Sequence, residues 1–99
     1  MTTDTVLETK KTTRIKEPRK FKVVVYNDDV TPMEFVIIMF RSVFKITPER
    51  AISLTMEIHN NGSAVAGVYN YEIAEQKAID ATELARANSF PLVLRVEQE

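Results

Sequence analysis

An α+β fold, a two-layer α/β sandwich in the order β-α-α-β-α-β, is predicted by three observations. Three short runs carry strand composition, three longer segments carry helix start signals, and the connections between them are brief. Elements in that order allow a small, mostly antiparallel sheet of three strands packed against three helices.

Phe21 to Tyr26 reads as the first strand, since Val23, Val24 and Val25 are β-branched and the run stops at Asn27-Asp28-Asp29. Thr31 is then placed to cap a helix, with Pro32 at its first position and Glu34 reaching back in a T-x-x-E capping box. Val30 and Phe35 flank that cap as a hydrophobic staple. The helix is expected from Pro32 to about Lys45. Its apolar residues wrap nearly the whole circumference, although a surface helix needs one stripe. It must be covered on several sides or present an apolar face to something else.

Thr47-Pro48-Glu49 repeats the start signal, and Asn61-Gly62 is a left-handed ending for a second helix running to Asn60. Its inward stripe is expected to be Ala51, Leu54 and Ile58, with Ile52 and Met56 alongside. Ala64 to Tyr69 reads as the second strand. Asn70 caps a third helix from Tyr71 to about Asn88, in which Ala74, Ala78, Ala81 and Ala85 form a face small enough for close approach. Pro91 to Val96 closes the order as the third strand.

The chain has 99 residues and a formal charge of −1, which bounds it to one small domain and a tail. Residues 1–19 are expected to be a flexible extension, because Val6, Leu7 and Ile15 are too few apolar groups to offset the entropy of ordering. The second half of that arm is basic (Lys10, Lys11, Arg14, Lys16, Arg19 and Lys20), but the balanced remainder favours a solvated linker over a nucleic-acid tail. Residues 20–99 are the core domain. Cysteine is absent, which excludes a disulfide framework and thiolate metal sites. The apolar run Phe35 to Phe40 is far too short to span a bilayer, and Met1 to Lys11 has no secretory h-region. A cytoplasmic protein without membrane partners is expected.

The turn Asn27-Asp28-Asp29 sets an amide and two carboxylates at the lip of the first strand. Asx residues are ordinary turn formers, so a purely structural reading stands beside a binding one. His59 is the single histidine, near the end of the second helix, where a helix-dipole role is the plain alternative. One histidine and two adjacent aspartates make a poor ligand set for a metal. Ser42, Ser53, Ser63 and Ser89 occupy no nucleophile elbow, and Gly62 and Gly67, the two glycines, form no phosphate-cradling loop. Such a chain is a binder, not an enzyme, with no cofactor and no metal.

The string Val23-Val24-Val25-Tyr26-Asn27-Asp28-Asp29-Val30-Thr31-Pro32-Met33-Glu34-Phe35-Val36 resembles the ClpS adaptor family. So do Glu57-Ile58-His59-Asn60-Asn61-Gly62-Ser63-Ala64, Tyr71-Glu72-Ile73-Ala74-Glu75-Gln76-Lys77 and Phe90-Pro91-Leu92, and the likeness covers about Phe21 to the C-terminus. The resemblance implies an adaptor for the ClpA-ClpP protease. Such an adaptor recognises proteins that begin with Leu, Phe, Tyr or Trp and delivers them for degradation. It implies that Asn27, Asp28 and His59 hold the α-amino group and first peptide unit, with Asp29 and Thr31 supporting the rim. Met33, Val36, Ile58 and Leu92 are then the apolar pocket for the first side chain, and Glu72 and Lys77 contact the unfoldase N-terminal domain. The arm corresponds to the family's N-terminal extension, which takes part in hand-off to the unfoldase. A monomer with unfoldase and N-degron substrates as partners, and no nucleic acid, is implied.

Two positions depart from the family pattern. Thr55 stands where Met usually gates the pocket, so exclusion of β-branched first residues is expected to relax. Phe90 replaces a common His before Pro-Leu. A ribosome-associated structural module of similar fold is the alternative function, and fold analogy alone is a weak guide.

Overall fold

The computed structural model describes residues 19–99. All of the expected N-terminal extension except Arg19 therefore lies outside the described residues.

The elements follow the expected order: β1 (Phe21–Tyr26), α1 (Met33–Val43), α2 (Pro48–Asn61), β2 (Ser63–Tyr69), α3 (Tyr71–Ala87) and β3 (Val93–Gln98). β1 is the central strand of a three-stranded sheet and pairs antiparallel with both neighbours, in the order β2-β1-β3. Tyr26 lies opposite Ser63 on one side and Val93 on the other. Phe21 at the far end pairs with Tyr69 and Gln98. The β1–β2 register shifts between Val23 and Val24, because Ala66 is the extra residue of a bulge.

Alternation along β1 sends Val23 and Val25 into the core, where they meet Met39 and Phe40 of α1, Leu54 and Ile58 of α2, and Ala74, Ala81 and Ala85 of α3. The alanine face of α3 thus lies on the sheet as expected, although Ala78 is only half-buried. Gly67 leaves room for the Tyr69 ring: an added Cβ would collide with the tyrosine hydroxyl.

Two helix starts form as their sequence signals predict. Thr47 accepts from the Arg50 N–H at 3.3 Å and Asn70 from the Ile73 N–H at 3.0 Å, each satisfying an otherwise orphaned donor. At the other end of α2, Gly62 has φ +95° and donates to the Ile58 carbonyl at 2.8 Å, a left-handed cap that suits glycine.

The start of α1 differs. Pro32, not Thr31, is its cap residue, and no side chain caps it. The Thr31 hydroxyl and N–H are both drawn back to the Asp28 carboxylate, so the capping box does not form. Val30 is 62% exposed and no buried staple with Phe35 results. The inward stripe of α2 also needs correction. Thr55 joins Ala51, Leu54 and Ile58 inside, while Ile52 and Met56 face outward.

Candidate functional site

The lip is built by β1 running out of sheet. After Tyr26 the chain turns at Asp28, whose Oδ1 accepts from the N–H groups of Val30 and Thr31 at 2.8 and 2.7 Å. Its Oδ2 accepts from the Thr31 hydroxyl at 2.8 Å. Partial burial pushes the Asp28 pKa up, but these bonds and the nearby Arg86 charge more than reverse that, leaving it below the ordinary carboxylate value. Asp28 is therefore a fixed anion at neutral pH. Asn27 and Asp29 on either side of it are exposed.

The lip is tied to the end of α2. The Asn27 N–H donates to the Gly62 carbonyl at 2.9 Å, and the Gly62 N–H returns to Ile58. His59, exposed in the last turn of α2, is thereby held at the same end of the sheet as Asn27. Of the apolar candidates, Ile58 belongs to this frame through its carbonyl. Val36 donates its N–H to the Pro32 carbonyl at 3.2 Å, and Val36, Ile58 and Leu92 belong to one buried cluster. Thr55 is 3% exposed and donates its hydroxyl to the Ala51 carbonyl at 2.8 Å, which satisfies the buried polar atom. Met33 is the outward member, 39% exposed.

Leu92 is held by a device that sequence reasoning did not find. The helix α3 ends with Ser89 at φ +64°, the Phe90 N–H on the Ala85 carbonyl and the Ser89 N–H on the Arg86 carbonyl. This is a Schellman ending with serine where glycine is usual. Arg86 Nη1 then donates to the Phe90 and Leu92 carbonyls at 2.8 and 2.9 Å. The Phe90 ring packs edge-on against Phe35 of α1 at 5.0 Å. A cation in the last turn of a helix was the available signal, since it favours free carbonyls. One arginine thus orients the Phe90–Leu92 segment and polarises Asp28.

Glu72 and Lys77 lie elsewhere. Phe21 and Tyr71 stack edge-to-face at 5.1 Å, so α3 begins at the end of β1 opposite the lip, about 17 Å away for a six-residue strand. Glu72 is exposed there. Lys77 has a structural task as well: its Nζ donates to the Val43 carbonyl at 3.1 Å and stands 5.7 Å from the centre of the Tyr69 ring. It satisfies a carbonyl at the end of α1 that the helix leaves unpaired.

The two roles of Asp28, turn former and anion, separate by substitution. Asp28→Asn keeps an oxygen for the Val30 and Thr31 N–H groups and is expected to fold, whereas Asp28→Ala opens the turn. Because the folded-state pKa is depressed, the carboxylate's stabilisation is fully present above the ordinary carboxylate pKa. It fades as pH falls through the depressed value. The stability gap between parent and Asp28→Asn should therefore narrow below about pH 4 in urea titrations. A gap independent of pH would exclude an ionised Asp28 as its cause.

Among the described residues no group of three or more His, Cys, Asp or Glu could hold a metal ion, and no helix is long and apolar enough to cross a membrane. Residues 16–95 match the family model described as ATP-dependent Clp protease adaptor protein ClpS. An ATP-dependent Clp protease adapter protein ClpS from Campylobacter jejuni is 43% identical, over 93% of this chain and 96% of the relative. One from Bdellovibrio bacteriovorus is 38% identical, over 87% of this chain and 75% of the relative. The structure of Agrobacterium tumefaciens ClpS2 bound to L-phenylalaninamide superposes with a TM-score of 0.82 at 40% identity, covering 84% of this chain and all of that one. With the expected β-α-α-β-α-β order, the sheet and the lip all in place, this chain belongs to the ClpS family of Clp protease adaptor proteins.

Proposed function

We propose that this adaptor binds polypeptides through a free α-amino group and a bulky apolar first side chain (Leu, Phe, Tyr or Trp), and delivers them to a ClpA-type unfoldase coupled to ClpP. The observation that carries this reading is the bond between Asn27 and Gly62, which joins the acceptor-rich lip to the helix end bearing His59. The ligand of the Agrobacterium relative supports it, since phenylalaninamide offers a primary amine, a benzyl group and a carboxamide. An N-terminal ammonium has three donors and no acceptor. Asn27, Asp28 and His59 supply the complementary oxygens and imidazole nitrogen, with Asp29 and Thr31 shaping the rim. Met33, Val36, Ile58 and Leu92 receive the side chain, whose burial contributes roughly 1.5–3 kcal/mol for a Leu- or Phe-sized group.

Delivery uses the opposite end of the molecule, where Glu72 and Lys77 meet the unfoldase N-terminal domain. The adaptor hydrolyses nothing itself and works as a cytoplasmic monomer. Fluorescence anisotropy with otherwise identical peptides tests the first half: those starting with Leu or Phe should bind, and those starting with Gly or Glu should not. Equal binding of all four would refute the specificity.

Thr55 sets the finer choice. A methylene-sized change of fit is worth roughly 1–3 kcal/mol, or 10–200-fold in discrimination. The parent should therefore accept Ile-started peptides that Thr55→Met rejects, raising the Leu-to-Ile affinity ratio by about tenfold or more. An unchanged ratio in a folded Thr55→Met protein would show that another residue fills the gap.

A further inference from the structure

A groove of about 280 Å³ runs between α3 and β3. Ala78, Ile79 and Leu94 form its floor, and Glu75 and Glu83 stand on its rim. Ile79 is 43% exposed. Acidic walls over an apolar floor suit a segment that is basic with an apolar side chain among its cations.

The chain contains such a segment. Lys10-Lys11-Thr12-Thr13-Arg14-Ile15-Lys16 holds four cations and one large apolar residue, and Glu17 to Lys20 join it to β1. The described chain enters at Arg19 and Lys20, where β3 ends and α3 begins, the two elements that form the groove. The Lys20 carbonyl accepts from the Glu99 N–H at 3.0 Å just beyond the end of β3, and Phe21 stacks on Tyr71 at the start of α3. From the Phe21–Gln98 pair, Leu94 lies four residues back along β3, about 14 Å. The six steps from Ile15 to Phe21 span up to about 20 Å, enough to turn at Pro18 and reach it. The opposite sign of charge, the apolar match and the point of entry coincide.

We propose that the groove between α3 and β3 is the seat of the chain's own basic segment, with Ile15 on the Ala78–Ile79–Leu94 floor and its flanking cations against Glu75 and Glu83. The groove shares none of its lining residues with the lip or the apolar candidates of the peptide site, so occupying it leaves peptide binding unchanged. Exposed pairs of this kind weaken with salt, which makes the docked arm releasable.

The chain has no cysteine, so a spin label on full-length Thr13→Cys reports one position. The expected result is loss of the Ile79 and Leu94 methyl signals, recovered in high salt and in the Glu75→Lys/Glu83→Lys variant. Ile15→Asp should release the arm without altering the groove, which keeps the test independent of the folding of the charge-reversed protein. Uniform weak broadening over the whole surface would overturn the proposal. So would equal broadening when labelled and unlabelled chains are mixed, because a second copy would then be the occupant. Affinity for a Leu-started peptide should be the same in all variants, and a parallel loss there would mean that the variants perturb the fold.

Discussion

A Leu-started peptide carrying an N-terminal acetyl group should bind at least about 100-fold more weakly than the same peptide with a free amine. An α-amino group has a pKa of roughly 7.7–8.0 and is mostly an ammonium at neutral pH. Acetylation removes the charge and two of three donors, and adds a carbonyl where the lip already presents oxygens. Charge-assisted hydrogen bonds contribute roughly 1.5–3 kcal/mol each, so losing two removes about 3–6 kcal/mol, more than the roughly 2.8 kcal/mol that a factor of 100 requires. Asp28 makes the loss steep. Its low pKa keeps it ionised, and the acetyl carbonyl would face that anion with nothing to donate. Anisotropy with the paired peptides decides the matter. Equal affinities would mean that the lip is only a turn, and that apolar contact alone supplies the binding.

Local features were legible and non-local ones were not. Thr47-Pro48, Asn70 and Asn61-Gly62 act on the backbone within four residues, and each behaves as its composition implies. Thr31 looked equally local, yet Asp28, three residues earlier, competes for the same N–H and hydroxyl. Two adjacent turn chemistries cannot both use one threonine. On α2 the spacing 51, 54, 55, 58 is the helical period, so Thr55 belongs inside on position alone. Apolar character had suggested Ile52 and Met56, which the period places outside. The bond from Lys77 to Val43 crosses 34 positions, and no local pattern encodes it. Of the candidate site, the lip and His59 share one end of the sheet because β1 ends where β2 begins, at the pair Tyr26 and Ser63.

The first helix poses the harder case, since hydrophobicity does not rank its apolar residues, and substitution should. Phe40→Ala is expected to cost about 3–5 kcal/mol, the range for deleting a fully buried phenylalanine and leaving a cavity. Phe40 is wholly inaccessible, at the centre of a cluster that joins all three helices to β1, with the Phe44 ring 6.2 Å away. Small domains are stable by about 5–15 kcal/mol, so this single change removes roughly a fifth or more of the total. The urea midpoint should fall with an unchanged slope, and the melting temperature by well over about 10 °C. Ile38→Ala, two residues earlier on the exposed side of the same helix, should shift stability by no more than about 0.5 kcal/mol. Equal costs at the two positions would mean that the helix buries a different face. The burial of Val36 in the core would then fall with it, because Phe40 lies one turn along the same face.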